Sequence, residues 1–399
     1  MKIIQRTITP SIEAQLSRGK SVLLLGPRQT GKSTLVQNLE VDISISLMQA
    51  ELRHRYERSP QALRFEVEAL AKKLNKVPLV FIDEIQLVPE LMNEVQVLID
   101  QGQAQFVLSG SSARKLKHQN HINLLPGRVV LFHLDPLMEE EMQGLPYSLE
   151  DRLYFGSLPA TVLEPDLRHR EIDLISYVEI YLEDEVRREA LVRNLAQFGR
   201  FLELAAAQSG EIVNLVKLSQ EIGVAHTTIS NYYQILEDCL IVKRVDPFTE
   251  GKTRRRLIHS PQYLFFDLGV RRFAAKEGMP LPTMQLDRLF EQWVALELLK
   301  MIDASPADRT QLFFWRDSSG VEVDWILKQD NTLTPIEVKW TEHPKSQDIR
   351  QLRIFMEEYA CTQGYLICRT PYPIDFGSGI TALPWTELAS VHPSQQITE

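Results

Sequence analysis

Hydrophobic and polar positions change period several times along this chain, and each change marks an element. Val22 to Leu25 is a short apolar run and predicts a buried strand, and Leu35 to Leu39 follows with helix-forming residues. Asp42 to Leu47 reads as a strand, Gln61 to Leu74 as a helix, and Leu79 to Asp83 as a buried strand. Pro89 to Asp100 is helical again, while Phe106 to Ser109 and Val129 to Leu134 are strands. Such alternation predicts a parallel sheet covered by helices on both faces.

From Leu149 to Gln208 the pattern turns helical and highly charged, and the amphipathic stretch Glu171 to Ala190 suits a lid or connector. Between Leu215 and Val245 a short helix, a turn at Gly223 and a second helix form a helix-turn-helix pattern. Leu218, Ile222, Val224, Ile229, Tyr233 and Leu236 are its expected core, and Ile241 to Val245 begins a wing. Further on, Leu286 to Met301 reads as an amphipathic helix. Phe313 to Arg316 and Val321 to Leu327 read as strands around the turn Asp317 to Gly320, and Thr334 to Trp340 as another.

The first apolar strand runs into GPRQTGKS, Gly26 to Ser33, and a helix follows. This is the strand–loop–helix context of a phosphate-binding loop. Glycines let successive backbone N–H groups face an anion, and a helix N-terminus favours its charge. The expected phosphate contacts are Gly26, Pro27, Arg28, Gln29, Thr30, Gly31, Lys32, Ser33 and Thr34. Lys32 reaches for the β- and γ-phosphates, and Ser33 for magnesium. The strand LVFID delivers Asp83 and Glu84 to its C-terminal edge, where parallel sheets bind ligands. Asp83 is the expected magnesium partner and Glu84 the group that polarises the attacking water, so hydrolysis is expected. On the next strand Ser109, or else Ser111, is positioned to sense that water or the γ-phosphate. Arg128 is a candidate positive charge for the γ-phosphate, in cis or across a subunit interface, with a surface role as the plain alternative.

The helix-turn-helix carries Thr227, Thr228, Ser230 and Asn231, which suit phosphate and base-edge contacts. Lys243, Arg244, Lys252, Arg254, Arg255 and Arg256 then concentrate positive charge in a short segment. DNA contact is the expectation, and a protein-interaction role is the alternative. Towards the C-terminus Glu337 and Lys339 are two apart on one strand face, with Asp324 on the neighbouring strand. Asp324, Glu337 and Lys339 match the D…(E/D)-x-K arrangement of the restriction-endonuclease-like fold, with Glu291 as the helix carboxylate. Carboxylates in this pattern hold magnesium, and the lysine orients water; a cross-strand ion-pair network is the plain alternative.

The chain has 399 residues, enough for two or three domains, and its formal net charge of −9 restricts nucleic-acid contact to local patches. Its three cysteines, Cys239, Cys361 and Cys368, form neither a disulfide framework nor a zinc cluster and fit a reducing cytosol. Neither a signal-peptide layout nor a membrane-length apolar run is present, so a cytoplasmic, non-membrane protein is expected.

GPRQTGKST, LVFIDEIQ, LSGSSARKL, LPGRVVLFHLDPLMEEE, YFGSLPA, VEVDWIL and PIEVKW together resemble a prokaryotic family of AAA-type ATPases similar to the archaeal ATPase clade. The resemblance covers most of the chain. It implies an α/β P-loop core, a helical and winged-helix region, and a C-terminal domain of unknown function with a restriction-endonuclease-like fold. The expected partition is 1–145 for the ATPase, 146–208 for a connector, 209–260 for the winged helix and 261–399 for the nuclease-like domain. ATP rests on the resemblance, and magnesium accompanies it. The expected function is magnesium-dependent ATP hydrolysis coupled to DNA binding or remodelling, possible as translocation or branch migration by a homo-oligomer with a trans arginine. The alternatives are a nucleotide-controlled switch acting on a partner protein and an ATP-regulated DNA nuclease.

Overall fold

The computed structural model describes residues 3–112, 127–182, 194–251, 255–279, 282–305 and 309–391. Five strands build the first sheet: β1 (Ser21–Leu25), β2 (Ile43–Ser46), β3 (Leu79–Asp83), β4 (Gln105–Gly110) and β5 (Val129–His133). Their order is β2-β3-β4-β1-β5, and every pairing is parallel. All five residues of β1 are buried because both faces are covered. Val22 and Leu24 face Ile8, Ile12 and Leu35, whereas Leu23 and Leu25 face Ile82, Phe106 and Leu108.

The strand order sets the site. The chain crosses from β1 to the β2 edge, returns strand by strand to β4, and then places β5 on the other side of β1. The C-terminal end of β1 is therefore the topological switch point of the sheet. Register aligns Leu25 with Gly110 and Ile82 with Leu108, so the residues leaving β1, β3 and β4 emerge together.

The helical region begins at Leu149–Phe155, capped by a reciprocal Ser148–Asp151 box. Helices Leu195–Ala207, Leu215–Ile222 and His226–Asp238 follow, the middle one closed by Gly223 in the left-handed conformation. All six expected helix-turn-helix core residues join one cluster, with Phe198, Phe201 and Tyr232. Only part of the predicted amphipathic stretch is described; residues 183–190 lie outside the described residues.

The wing strand belongs to a larger sheet. β6 (Val242–Pro247) pairs antiparallel with β7 (Gln262–Phe265) and parallel with β8 (Gln311–Arg316). β9 (Glu322–Gln329), β10 (Thr332–Val338), β11 (Gly364–Cys368), β12 (Ile374–Asp375) and β13 (Ile380–Pro384) complete eight strands. The sheet is mixed in direction: β10 runs antiparallel to β9 but parallel to β11. The long helix Thr283–Asp303 packs Phe290, Trp293 and Leu298 on one face, and Arg350–Tyr359 packs Leu352, Phe355 and Met356 on the other. The α/β architecture read from the sequence therefore stands: a parallel five-stranded sheet, a helical region, and a mixed eight-stranded sheet. Among the described residues no helix is long and apolar enough to cross a membrane.

Polar contacts join the parts. Lys300 donates to Leu137 O (2.8 Å), Ser157 Oγ (3.0 Å) and Glu297 Oε1 (2.7 Å). Glu297 Oε2 accepts from the Glu139 amide at 2.9 Å. A helix of the last sheet thus grips both the exit of the first sheet and the helical region.

Candidate nucleotide site

The segment after β1 wraps around its own lysine. Lys32 Nζ donates to Gly26 O at 2.7 Å and Pro27 O at 2.9 Å, and Thr30 Oγ1 donates to Pro27 O at 3.0 Å. Two glycines are forced by geometry. A Cβ on Gly26 would stand 2.2 Å from Leu134 O, and Gly31 caps the helix Lys32–Gln37 at φ 93°. Gln29 also adopts positive φ, at 63°.

A clamp that sequence reasoning missed holds the loop from behind. Arg6 donates to Thr30 O (2.7 Å), Asp135 O (2.7 Å) and Glu141 Oε2 (3.0 Å). Nothing local marks Arg6, whose carboxylate partner lies 135 residues away. Tyr177 from the helical region donates to Arg28 O at 3.3 Å. Beside the loop lies a cavity of about 520 Å³, lined by Ile4, Leu35, Asn38, Leu137, Pro159 and Leu163 together with Arg6, Thr30 and Gly31.

The strand register brings the acidic residues to this loop. Ser33 Oγ faces Asp83 Oδ2 at 3.5 Å. A hydroxyl and a carboxylate so placed form the donor pair that magnesium uses with phosphate oxygens and water, so the residues present fit that ion. Burial pushes the Asp83 carboxyl up, aided by the charge of Glu84 and opposed by Ser109, Lys32 and Ser33. Ser109 Oγ donates to Asp83 Oδ1 at 2.5 Å and accepts from the Glu84 amide at 3.3 Å. Glu84 is buried with φ 58° and ψ 48°, a conformation unusual outside glycine.

The two serines expected as sensors lie beside the acidic pair. Both hydroxyls spend their proton on the acidic pair, Ser109 on Asp83 and Ser111 on Glu84 Oε2 at 2.6 Å. The cis role expected of Arg128 is corrected. Its neighbour Val129 pairs with Ser21, the first residue of β1, whereas the phosphate loop follows the last. At about 3.3 Å per residue, the length of β1 separates Arg128 from the loop by roughly 13 Å or more. There it forks onto Asp100 at 2.6 and 2.9 Å, so it cannot serve a γ-phosphate in cis.

The expected basic face also disperses. Lys243 donates to Asp135 (2.7 Å) and Asp303 (2.6 Å), and Arg244 pairs with Asp246. Arg255 joins Glu358 (2.8 Å) and Asp317 (2.5 Å) and lies over the Trp315 ring. Arg256 is exposed, while Lys252 and Arg254 lie outside the described residues. Thr227, Ser230 and Asn231 are exposed on the second helix, and Thr228 is half-buried.

The four C-terminal candidates do approach one another. Lys339 Nζ lies 2.7 Å from Glu337 Oε1 and 3.7 Å from Asp324 Oδ2, and Asp324 accepts from the Val338 amide at 2.7 Å. Burial, with Asp324 adding to it, pushes Glu337 up to about 8 against the pull of Lys339. Burial and Asp324 also raise Glu291 well above the usual carboxylate range. Lys339 therefore stands as the counter-ion of this group. Among the described residues no three His, Cys, Asp or Glu side chains converge closely enough to hold a metal ion by themselves.

A family model described as an AAA domain matches residues 18–143, and domains of unknown function match 147–280 (DUF8612) and 286–388 (DUF4143). An uncharacterized protein of Mycobacterium tuberculosis, Rv2008c, is 26% identical over 352 residues, covering 86% of this chain and 76% of that protein. Among solved structures, the Pif1 helicase of Candida albicans matches at 16% identity and TM-score 0.25, covering 44% of each chain. A STAND protein with a tetratricopeptide repeat sensor from Pyrococcus horikoshii matches at 10% identity and TM-score 0.26, covering 76% of this chain and 47% of that one. This chain thus spans under half the length of both solved proteins.

Proposed function

We propose that this protein hydrolyses ATP with magnesium at the end of β1, and that the nucleotide state is read out by its helical and C-terminal parts. The AAA domain, followed by two domains of unknown function, implies ATP binding. The observation that carries hydrolysis is the convergence of Ser33, Asp83, Ser109 and Glu84 beside the phosphate loop. In this reading Lys32 leaves the carbonyls of Gly26 and Pro27 for the phosphates, and the backbone of residues 27–34 cradles them. Ser33 and Asp83 hold magnesium, which neutralises charge on the phosphate oxygens. Glu84 accepts the proton of the attacking water. The cavity beside Arg6 takes the nucleoside.

The output is DNA or a partner protein. The exposed face with Thr227, Ser230 and Asn231 supports DNA, whereas the commitment of Lys243, Arg244 and Arg255 to carboxylates supports a protein-directed switch. Steady-state ATP turnover without DNA, and with single strands, duplex and branched duplex, separates them, using Glu84→Gln as the blank. Stimulation by one DNA form establishes a DNA-acting ATPase. Equal turnover throughout, abolished in Glu84→Gln, establishes the switch, and the absence of any turnover overturns the hydrolytic reading.

A further inference from the structure

The sequence LVFIDEIQ sets Gln86 two residues after Glu84, and the backbone folds the two side chains together. Glu84 turns into the left-handed region, and Leu87 N closes a tight turn onto Glu84 O at 2.9 Å. Gln86, only 1% exposed, is thereby aimed back at Glu84. Its Nε2 contacts Glu84 Oε2 and lies 3.1 Å from Ser111 Oγ. Ser111 Oγ donates to the same Glu84 Oε2 at 2.6 Å.

Chemistry fixes the amide's orientation. Turned the other way, its oxygen would face a carboxylate oxygen, acceptor against acceptor. Its Oε1 is consequently buried without a hydrogen-bond partner, close enough to Gly110 that a Cβ there would stand 2.9 Å from it. An unsatisfied buried oxygen is unfavourable for folding, and such local violations concentrate where a site requires them.

The geometry points to Gln86 and Ser111 as positioning residues that hold Oε2 of Glu84, so that its Oε1 faces the attacking water. The inference rests on the hydrolytic reading above. The water oxygen bonds to the γ-phosphorus while the bond from that phosphorus to the bridging oxygen of ADP breaks. Its electron pair leaves with ADP, and the water proton passes to Glu84 Oε1. A carboxylate free to rotate would present that oxygen only part of the time.

The test measures kcat, KM and ATP affinity for Gln86→Leu, Ser111→Ala and Ser111→Thr, each also combined with Glu84→Gln. Gln86→Leu is expected to lower kcat by about tenfold or more while ATP affinity stays within about twofold. Ser111→Ala lowers kcat less, and Ser111→Thr, which keeps the hydroxyl, restores it. In the Glu84→Gln background neither change lowers the residual turnover further, because the group they orient is gone. Should Gln86→Leu fail to fold, the Ser111 series carries the same comparison. Retained kcat in Gln86→Leu and Ser111→Ala, or an undiminished loss in the Glu84→Gln background, overturns the proposal. Wild-type turnover in Glu84→Gln alone instead overturns the role of Glu84 as the base, and no turnover in the wild type overturns the hydrolytic reading; each shows itself without the Gln86 and Ser111 variants.

Discussion

Lys243, on β6, places its ammonium 2.7 Å from the carboxylate of Asp135, two residues beyond the end of β5, and 2.6 Å from Asp303 on the long helix. One cation thus ties the first sheet, the wing strand and the C-terminal helix together. It borders a cavity of about 230 Å³ that also touches Gly26 and Pro27 of the phosphate loop.

Lys243→Met leaves Asp135 buried without its counter-ion. It should destabilise the protein by about 3 kcal/mol, read from the shift of the urea midpoint. Burial pushes the Asp135 carboxyl up, but the charge and hydrogen bond of Lys243 outweigh it and hold it below the ordinary 3.8. Burial lowers Lys243, and its two carboxylates outweigh that, holding it above 10.5. The Asp135 contribution is therefore complete above 3.8 and lost as pH falls through the lowered value; that of Lys243 is complete below 10.5 and lost as pH rises through the raised one. Lys243→Met should flatten both limbs, and unchanged limbs would remove the tie from the account.

Arg6→Ala should weaken ATP binding by about tenfold to a hundredfold, with kcat at saturation within about threefold. The reason is positional: Arg6 holds Thr30 O from the wall of the cavity. Arg6→Lys should not rescue, because one ammonium cannot reproduce the fork onto Thr30, Asp135 and Glu141. Nucleotide titration with a parallel melting curve separates lost binding from lost fold.

Asp83 must be ionised to hold magnesium, yet burial raises its carboxyl above the ordinary 3.8. Protons should therefore displace magnesium at a higher pH than at an ordinary aspartate. The magnesium concentration for half-maximal turnover should begin to rise, as pH falls, above the pH at which an ordinary aspartate titrates. In Ser109→Ala the rise should begin at higher pH still, because Ser109 stabilises the charged form.

What the sequence disclosed and what it hid follow from chain distance. Gly26 to Ser33 and the Asp83–Glu84 pair were legible because each function sits in a contiguous run delivered by one strand. Gln86 stood in view within LVFIDEIQ, but only the turn at Glu84 shows where its side chain goes. Lys243 and Arg255 looked like a solvated basic run because their partners Asp135 and Asp317 lie 108 and 62 residues away. The merging of the wing into the eight-stranded sheet was hidden for the same reason: β6 meets β8 across the whole long helix.

Glu337 should make stability fall with rising pH. Its folded value of about 8 lies above the ordinary 4.5, so the folded state holds the proton more tightly. The stabilising proton is lost as pH climbs from 4.5 through about 8, and the slope flattens beyond. Melting temperatures between about pH 6 and 9 should decline in the wild type and decline less in Glu337→Gln, where the raised Glu291 carboxyl still titrates. A magnesium-dependent rise in melting temperature at the alkaline end, absent in Asp324→Ala, would instead mark this group as a metal centre, and duplex cleavage lost in the same variant would mark a nuclease.

The helix His226–Asp238 should communicate with Glu84 through its own end. Ser112 Oγ donates to Asp238 O at 3.4 Å, and Leu240 packs against the apolar cluster of the first sheet. Ser112 follows Ser111, whose hydroxyl holds the Glu84 carboxylate. A ligand that shifts this helix therefore pulls on the strand end that orients Glu84, and linkage makes the effect reciprocal. On the DNA reading of the output, a short duplex should bind with an affinity that differs about fivefold or more between nucleotide-free protein and protein saturated with a non-hydrolysable ATP analogue. Leu240→Ala should shrink that factor while leaving duplex binding without nucleotide unchanged, since Leu240 is not on the exposed face. Equal duplex affinity in both states would cut the proposed path between this helix and the nucleotide.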